Sequence, residues 1–83
     1  MLKIFLSRRA AKALEEIAPE IRKRLEDKIS ELLLTPFPTS CRKLRGVANA
    51  YRLRVGDYRI LYAIVSKDEI LVFKIARRER AYE

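Results

Sequence analysis

The stretch Tyr51-Arg52-Leu53-Arg54-Val55-Gly56-Asp57-Tyr58-Arg59-Ile60-Leu61-Tyr62 alternates apolar and charged side chains on either side of a Gly-Asp step. It reads as a β-hairpin, with residues 51–55 as one strand, Gly56-Asp57 as a two-residue turn and residues 58–65 as the returning strand. Such a turn fixes the register. It sets Val55 against Tyr58, Arg54 against Arg59, Leu53 against Ile60, Arg52 against Leu61 and Tyr51 against Tyr62, because side chains alternate with period two. One face is therefore apolar and aromatic, and the other carries Arg52, Arg54 and Arg59. Like charges directly opposite each other destabilise a sheet by roughly 0.2–1 kcal/mol, and an anionic ligand would relieve the Arg54–Arg59 repulsion.

A third strand follows. Residues 66–69 are polar and turn-like, and residues 70–76 form another β-rich run. If Val65 pairs with Ile70, then Arg59 lies across from Ala76 and Leu61 across from Lys74. Leu71, Phe73 and Ile75 would join Tyr51, Leu53, Ile60, Tyr62 and Ile64 on the apolar face, which then needs a cover. Lys74 would join the basic face, with Arg77, Arg78 and Arg80 just beyond it and Tyr82 close behind.

The first half of the chain supplies that cover. Residues 2–6 read as a short strand, and Ser7 as the N-cap of a helix through about residue 18 that turns Ala10, Ala13, Leu14 and Ile17 inward. Pro19 marks the break. A second helix, over about residues 20–34, aligns Ile21, Leu25, Ile29, Leu32 and Leu33 on one stripe. The turn-forming segment at residues 35–40 ends it. The expected fold is α+β: a small antiparallel sheet in the order β-α-α-β-β-β, with a helical hairpin packed on one face and residues 1–83 forming one domain.

Charge points to the sign of the partner. The chain has 19 Lys and Arg against 11 Asp and Glu, a net charge of +8, in the range of nucleic-acid-binding domains. Residues 1–41 carry 8 basic and 6 acidic side chains, and residues 42–83 carry 11 and 5, so most of the excess lies on the sheet half. A membrane-surface role is disfavoured, because the patch projects from strands rather than from an amphipathic helix. No apolar run approaches the ~20 residues of a membrane span, and the start is too short for a signal-peptide core, so a cytoplasmic protein is expected. The single Cys41 excludes an internal disulfide framework and reads as a small packed hydrophobe. With no histidine and one cysteine, neither a zinc-type cluster nor a Cys–His nucleophile is expected, and no cofactor motif is present.

Three segments taken together, Lys43-Leu44-Arg45-Gly46, Tyr51 through Tyr62, and Arg77-Arg78-Glu79-Arg80-Ala81-Tyr82, resemble the RelE/ParE toxin superfamily of prokaryotic toxin-antitoxin systems, and the RelE-like branch in particular. The likeness covers essentially the whole chain. RelE-like members cleave messenger RNA on the ribosome, whereas ParE-like members inhibit DNA gyrase on much the same scaffold. Carried over residue by residue, the RelE-type catalytic set falls on Arg52, Arg54, Arg59, Arg78 and Tyr82. Lys43, Arg45, Lys74, Arg77 and Arg80 are the expected RNA or ribosome contacts. The chain departs from many relatives in having arginine rather than lysine at 52 and 54, and arginine rather than histidine at 77, and in ending one residue after Tyr82.

The resemblance implies metal-independent cleavage in which the ribose 2′-OH attacks the adjacent phosphate. Arginines suit the work of aligning and neutralising that phosphate, because the planar guanidinium makes bidentate contacts. An arginine cannot act as the base. Tyr82 either stacks on a nucleobase, the favoured role, or serves as the base if neighbouring cations lower its phenol pKa. The implied partners are the ribosome with its message, and an acidic, wrapping, RelB-like antitoxin. The competing functions are a ParE-like gyrase inhibitor and a non-catalytic nucleic-acid-binding module.

Overall fold

The structure, a computed structural model, describes residues 2–77. Its elements run β1 (Lys3–Leu6), α1 (Arg8–Glu15), α2 (Pro19–Glu31), β2 (Cys41–Lys43), β3 (Ala50–Val55), β4 (Tyr58–Ser66) and β5 (Glu69–Arg77). The strands form one sheet in the order β1-β5-β4-β3-β2. The α+β class and the helical hairpin on one face agree with the sequence. The sheet itself has five strands and is mixed, because β1 lies parallel to β5 at one edge and a short β2 pairs with β3 at the other.

Local chemistry explains the helix boundaries. Ser7 caps α1, its Oγ accepting from the Ala10 N–H at 3.1 Å. The helix ends at Glu15, short of residue 18, because the residue before a proline is pushed out of the helical region, and Ala18 is extended at φ −53°, ψ 141°. Pro19 opens α2 as its first residue, where its missing N–H breaks no helical hydrogen bond. Leu25, Ile29 and Leu32 are buried as the stripe predicts, whereas Leu33 is largely exposed beyond the helix end. Between sheet and helices lies a core of Ala10, Leu14, Leu25, Ile29, Leu32, Leu53, Val55, Ile60, Tyr62, Ile70, Val72 and Ile75. Full burial of a leucine or isoleucine contributes about 1.5–3 kcal/mol, which makes this layer the main source of stability. Cys41 packs at its margin, as expected of a small hydrophobe.

All five predicted β3–β4 pairs occur, from Tyr51–Tyr62 to Val55–Tyr58. Gly56 has φ +58° while Asp57 stays negative, the pattern of a type II′ turn, whose twist matches the flanking strands. The β4–β5 ladder keeps Arg59 opposite Ala76 and Leu61 opposite Lys74, and then shifts. Tyr62 pairs with Val72 and Ile64 with Ile70, leaving Phe73 as an extra residue on β5 and Val65 as one on β4. This β-bulge reverses the sidedness of the first half of β5. Ile70 and Val72 enter the core, and the expectation that Leu71 and Phe73 would do so is overturned. Backbone groups at the bulge are used by the start of α1: the Ser7 N–H donates to the Val72 carbonyl at 2.9 Å and Ser7 Oγ to the Phe73 carbonyl at 3.3 Å.

Candidate nucleic-acid interface

The helices cover one side of the sheet and leave the other open, so strand alternation decides which cations reach solvent together. On the open side stand Arg52 and Arg54 from β3, Arg59 and Leu61 from β4, and Lys74 from β5. The β2–β3 hairpin adds a residue that the sequence reading missed: Arg42 lies directly across from Arg52. Ser40, Arg42, Arg52 and Arg54 line an open cavity of about 280 Å³. Among the described residues no acidic side chain lines it. Arg42 was missed because a three-residue strand beside a turn carries almost no alternation signal; the signal available was its position beside the Lys43-Leu44-Arg45-Gly46 segment.

Arg59 corrects a second expectation. It was placed on an exposed basic face, and it does face Arg54, but only 2% of it is accessible. It lies on the middle strand of five, whereas Arg54 lies toward the short β2 edge and is exposed. The Arg59 Nη1 donates to the Tyr58 carbonyl at 3.3 Å, and its buried Nε has no hydrogen-bond partner. A buried donor without a partner forfeits roughly 1–3 kcal/mol, a loss that an anionic acceptor at this point would recover.

The remaining predicted contacts divide. Lys74 is half-buried on the open side opposite Leu61, as expected. Lys43 pairs with Tyr51 and so falls on the opposite parity, at the rim of the helix-covered side. Arg45 is exposed in the β2–β3 connection, where Gly46 at φ +74° reverses the chain. Arg77 lies over the ring of Tyr58, its Cζ 6.0 Å from the centroid, on the helix-covered side rather than among the arginines. Arg78, Arg80 and Tyr82 lie outside the described residues. Behind the arginine cavity the sheet is stiffened by aromatics: Tyr51 stacks on Tyr62 at 5.7 Å, and Phe37 meets Tyr51 edge-on at 5.1 Å. The Tyr62 hydroxyl donates to the Pro36 carbonyl at 2.7 Å, and burial pushes its pKa well above the usual phenol range. Tyr62 is therefore a buried hydrogen-bond donor of the core. Among the described residues no His, Cys, Asp and Glu side chains gather into a metal-binding group, and no helix is long and apolar enough to cross a membrane.

The family described as the ParE toxin of type II toxin-antitoxin systems, parDE, matches residues 4–82. The chain belongs to this toxin family. Among its relatives it is 32% identical to the mRNA interferase toxin RelE of Escherichia coli, over 88% of this chain and 79% of that one. It is 30% identical to Toxin RelE3 of Methanocaldococcus jannaschii, over 99% of this chain and 97% of that protein. The crystal structure of the archaeal RelE–RelB complex from Pyrococcus horikoshii superposes with a TM-score of 0.82 at 29% identity, covering 96% of this chain and 98% of that one. The RelE/ParE likeness read from the three sequence segments, and its RelE-like branch, are thus those of the chain's relatives.

Proposed function

We propose that this toxin is a metal-independent endoribonuclease that cuts ribosome-bound messenger RNA in the cytoplasm and so inhibits translation. The reading rests on one observation: an arginine-lined cavity open to solvent, with a buried arginine whose Nε lacks a partner standing across the ladder from Arg54, in a chain 32% identical to a relative named as an mRNA interferase. In the proposed reaction the ribose 2′-oxygen forms a bond to the adjacent phosphorus while the P–O5′ bond breaks. The products are a 2′,3′-cyclic phosphate and a 5′-hydroxyl, with the 2′ proton passing to a base and a proton reaching the departing 5′-oxygen. Arg59 and Arg78 are assigned to the transferring phosphate and the leaving oxygen, Arg52 and Arg54 to the flanking backbone. Tyr82 is assigned to stacking on a base, with proton acceptance as its alternative role. Lys43, Arg45, Lys74, Arg77 and Arg80 are assigned to RNA or ribosome contact.

An open face aligns a 2′-OH poorly without help, which supports dependence on the ribosome to position the message. The proposed regulator is an acidic, RelB-like antitoxin. A RelB chain accompanies RelE in the Pyrococcus horikoshii complex, and this chain offers a +8 charge together with exposed Phe5, Leu34 and Phe37 for a partner to cover. Primer extension on a message under translation tests the reading. Discrete cuts within translated codons, absent on naked RNA and insensitive to chelator while ribosomes stay intact, are expected. Uncut message together with loss of DNA gyrase supercoiling would overturn the proposal in favour of a ParE-type activity.

A further inference from the structure

The cavity holds an arginine that the proposed reaction does not use. One transferring phosphate needs the cations around Arg54 and Arg59, yet the β2 edge brings a second cross-strand arginine pair, Arg42 opposite Arg52, one alternation step along β3. Directly opposed residues have Cβ atoms about 4.5–5.5 Å apart, close enough for two guanidinium groups to grip one phosphate. Residues two apart on a strand are about 6.6 Å apart and neighbouring strands about 4.8 Å apart, so the two pairs are centred roughly 8 Å from each other, a separation that long arginine side chains can adjust to successive phosphates of a single strand. Ser40 adds a hydroxyl at the mouth of the same cavity. The two arginine pairs thus stand obliquely across β3, and no acidic side chain lines the cavity among the described residues.

We infer that Arg42, with Ser40 and Arg52, forms a second phosphate subsite, so that the protein grips two successive phosphates of single-stranded RNA laid obliquely across β3. The inference rests on the nucleic-acid reading of the cleft above, and gives it a direction and a minimum length of substrate. Arg42 is a binding residue here and takes no part in the bond changes. Because it is exposed on a three-residue edge strand, its removal leaves the core untouched.

The test is a binding titration of the full chain with a 2′-O-methylated single-stranded RNA hexanucleotide, which lacks the attacking hydroxyl, at several salt concentrations. Each phosphate contact on a single strand contributes about 0.7 to the slope of log affinity against log salt. Arg42→Ala is expected to bind about tenfold more weakly at low salt and to reduce the slope by about 0.7, while Arg42→Lys keeps most of the slope. Arg9→Ala, an equal loss of charge on the exposed surface of α1, controls for net charge and is expected to stay within about twofold of the parent. Thermal melting of each variant separates lost binding from lost folding. An Arg42→Ala variant that matches Arg9→Ala in affinity and slope would overturn the inference. A parent that grips the hexanucleotide with the full slope but leaves translated message intact would instead sink the nuclease reading and leave the two-phosphate site standing.

Discussion

The two faces of this sheet are made by the same strands, often by adjacent residues, and they solve opposite problems. On the helix-covered face Leu53, Val55, Ile60 and Tyr62 are buried against Leu25, Ile29 and Leu32. On the open face their immediate neighbours Arg52, Arg54 and Arg59 are brought together although they repel. The first face is organised by loss of water from apolar surface, which stabilises without regard to direction. The second is organised by backbone register, which holds charges in place at a cost in folding free energy. Apolar packing and the display of charge are therefore separable here residue by residue, at a distance of one position along a strand.

The sharpest way to break this comparison is to cut into the covered face. Leu25→Ala, fully buried in α2, is expected to lose about 2–5 kcal/mol, a large part of the stability of a domain this small. Arg54→Ala, exposed opposite it, should stay within about 0.5 kcal/mol by chemical denaturation. Equal losses in the two variants would end the division of labour.

Arg59 sharpens it, since it belongs to the open face and is buried nonetheless. Arg59→Met removes a buried donor that has no partner at Nε, so stability should hold within about 1 kcal/mol or rise. Cleavage on translating ribosomes should fall about 10²-fold or more, the loss typical of removing one donor to a developing charge. A well-folded Arg59→Met protein with parental cleavage would exclude this arginine from the chemistry.

The bulge offers a comparison within one strand. Val72→Ala should cost about 2 kcal/mol and Leu71→Ala about half as much, because Val72 is fully buried and Leu71 only partly so. The reverse ranking would restore an unbroken ladder between β4 and β5.

Tyr62 gives the smallest effect and a sign that can be checked. Burial raises its folded pKa above that of the unfolded chain, so the folded state holds this proton more firmly. Its contribution is fully present below about pH 10 and is lost as pH rises beyond that value. Tyr62→Phe should lose about 1 kcal/mol near neutrality with the Pro36 hydrogen bond, and should flatten the alkaline decline seen by circular dichroism. A variant whose alkaline decline matches the parent's would assign the pH dependence to another group.

The sequence was most legible where a turn sets the count. Gly56-Asp57 fixed every pair between β3 and β4, including the Arg54–Arg59 opposition at the site. It was least legible where neighbouring residues share a character. From Ile70 to Phe73 every side chain is apolar, so either sidedness buries hydrophobic surface and alternation cannot choose. Arg59 was placed on the right face at the wrong depth, because alternation sets which face a side chain takes and not how deeply it lies. Arg42 escaped for want of length, since three residues are too few to show a period.

Phe73 shifts β5 by half a cycle. Counted in twos from Ile70, position 74 belongs beneath the helices; the additional residue carries it across, so that Ile70, Val72 and Ile75 stay dry while Lys74 is delivered beside the arginines. What stands at that point of the surface is thereby governed by how many residues precede it, and only secondarily by which ones. A lysine at position 70, 72 or 75 would be driven indoors, and a one-residue deletion at the bulge would invert the wetting of the strand end. Insertion and deletion, usually tolerated only in loops, become here a means of moving charge from one side of a sheet to the other.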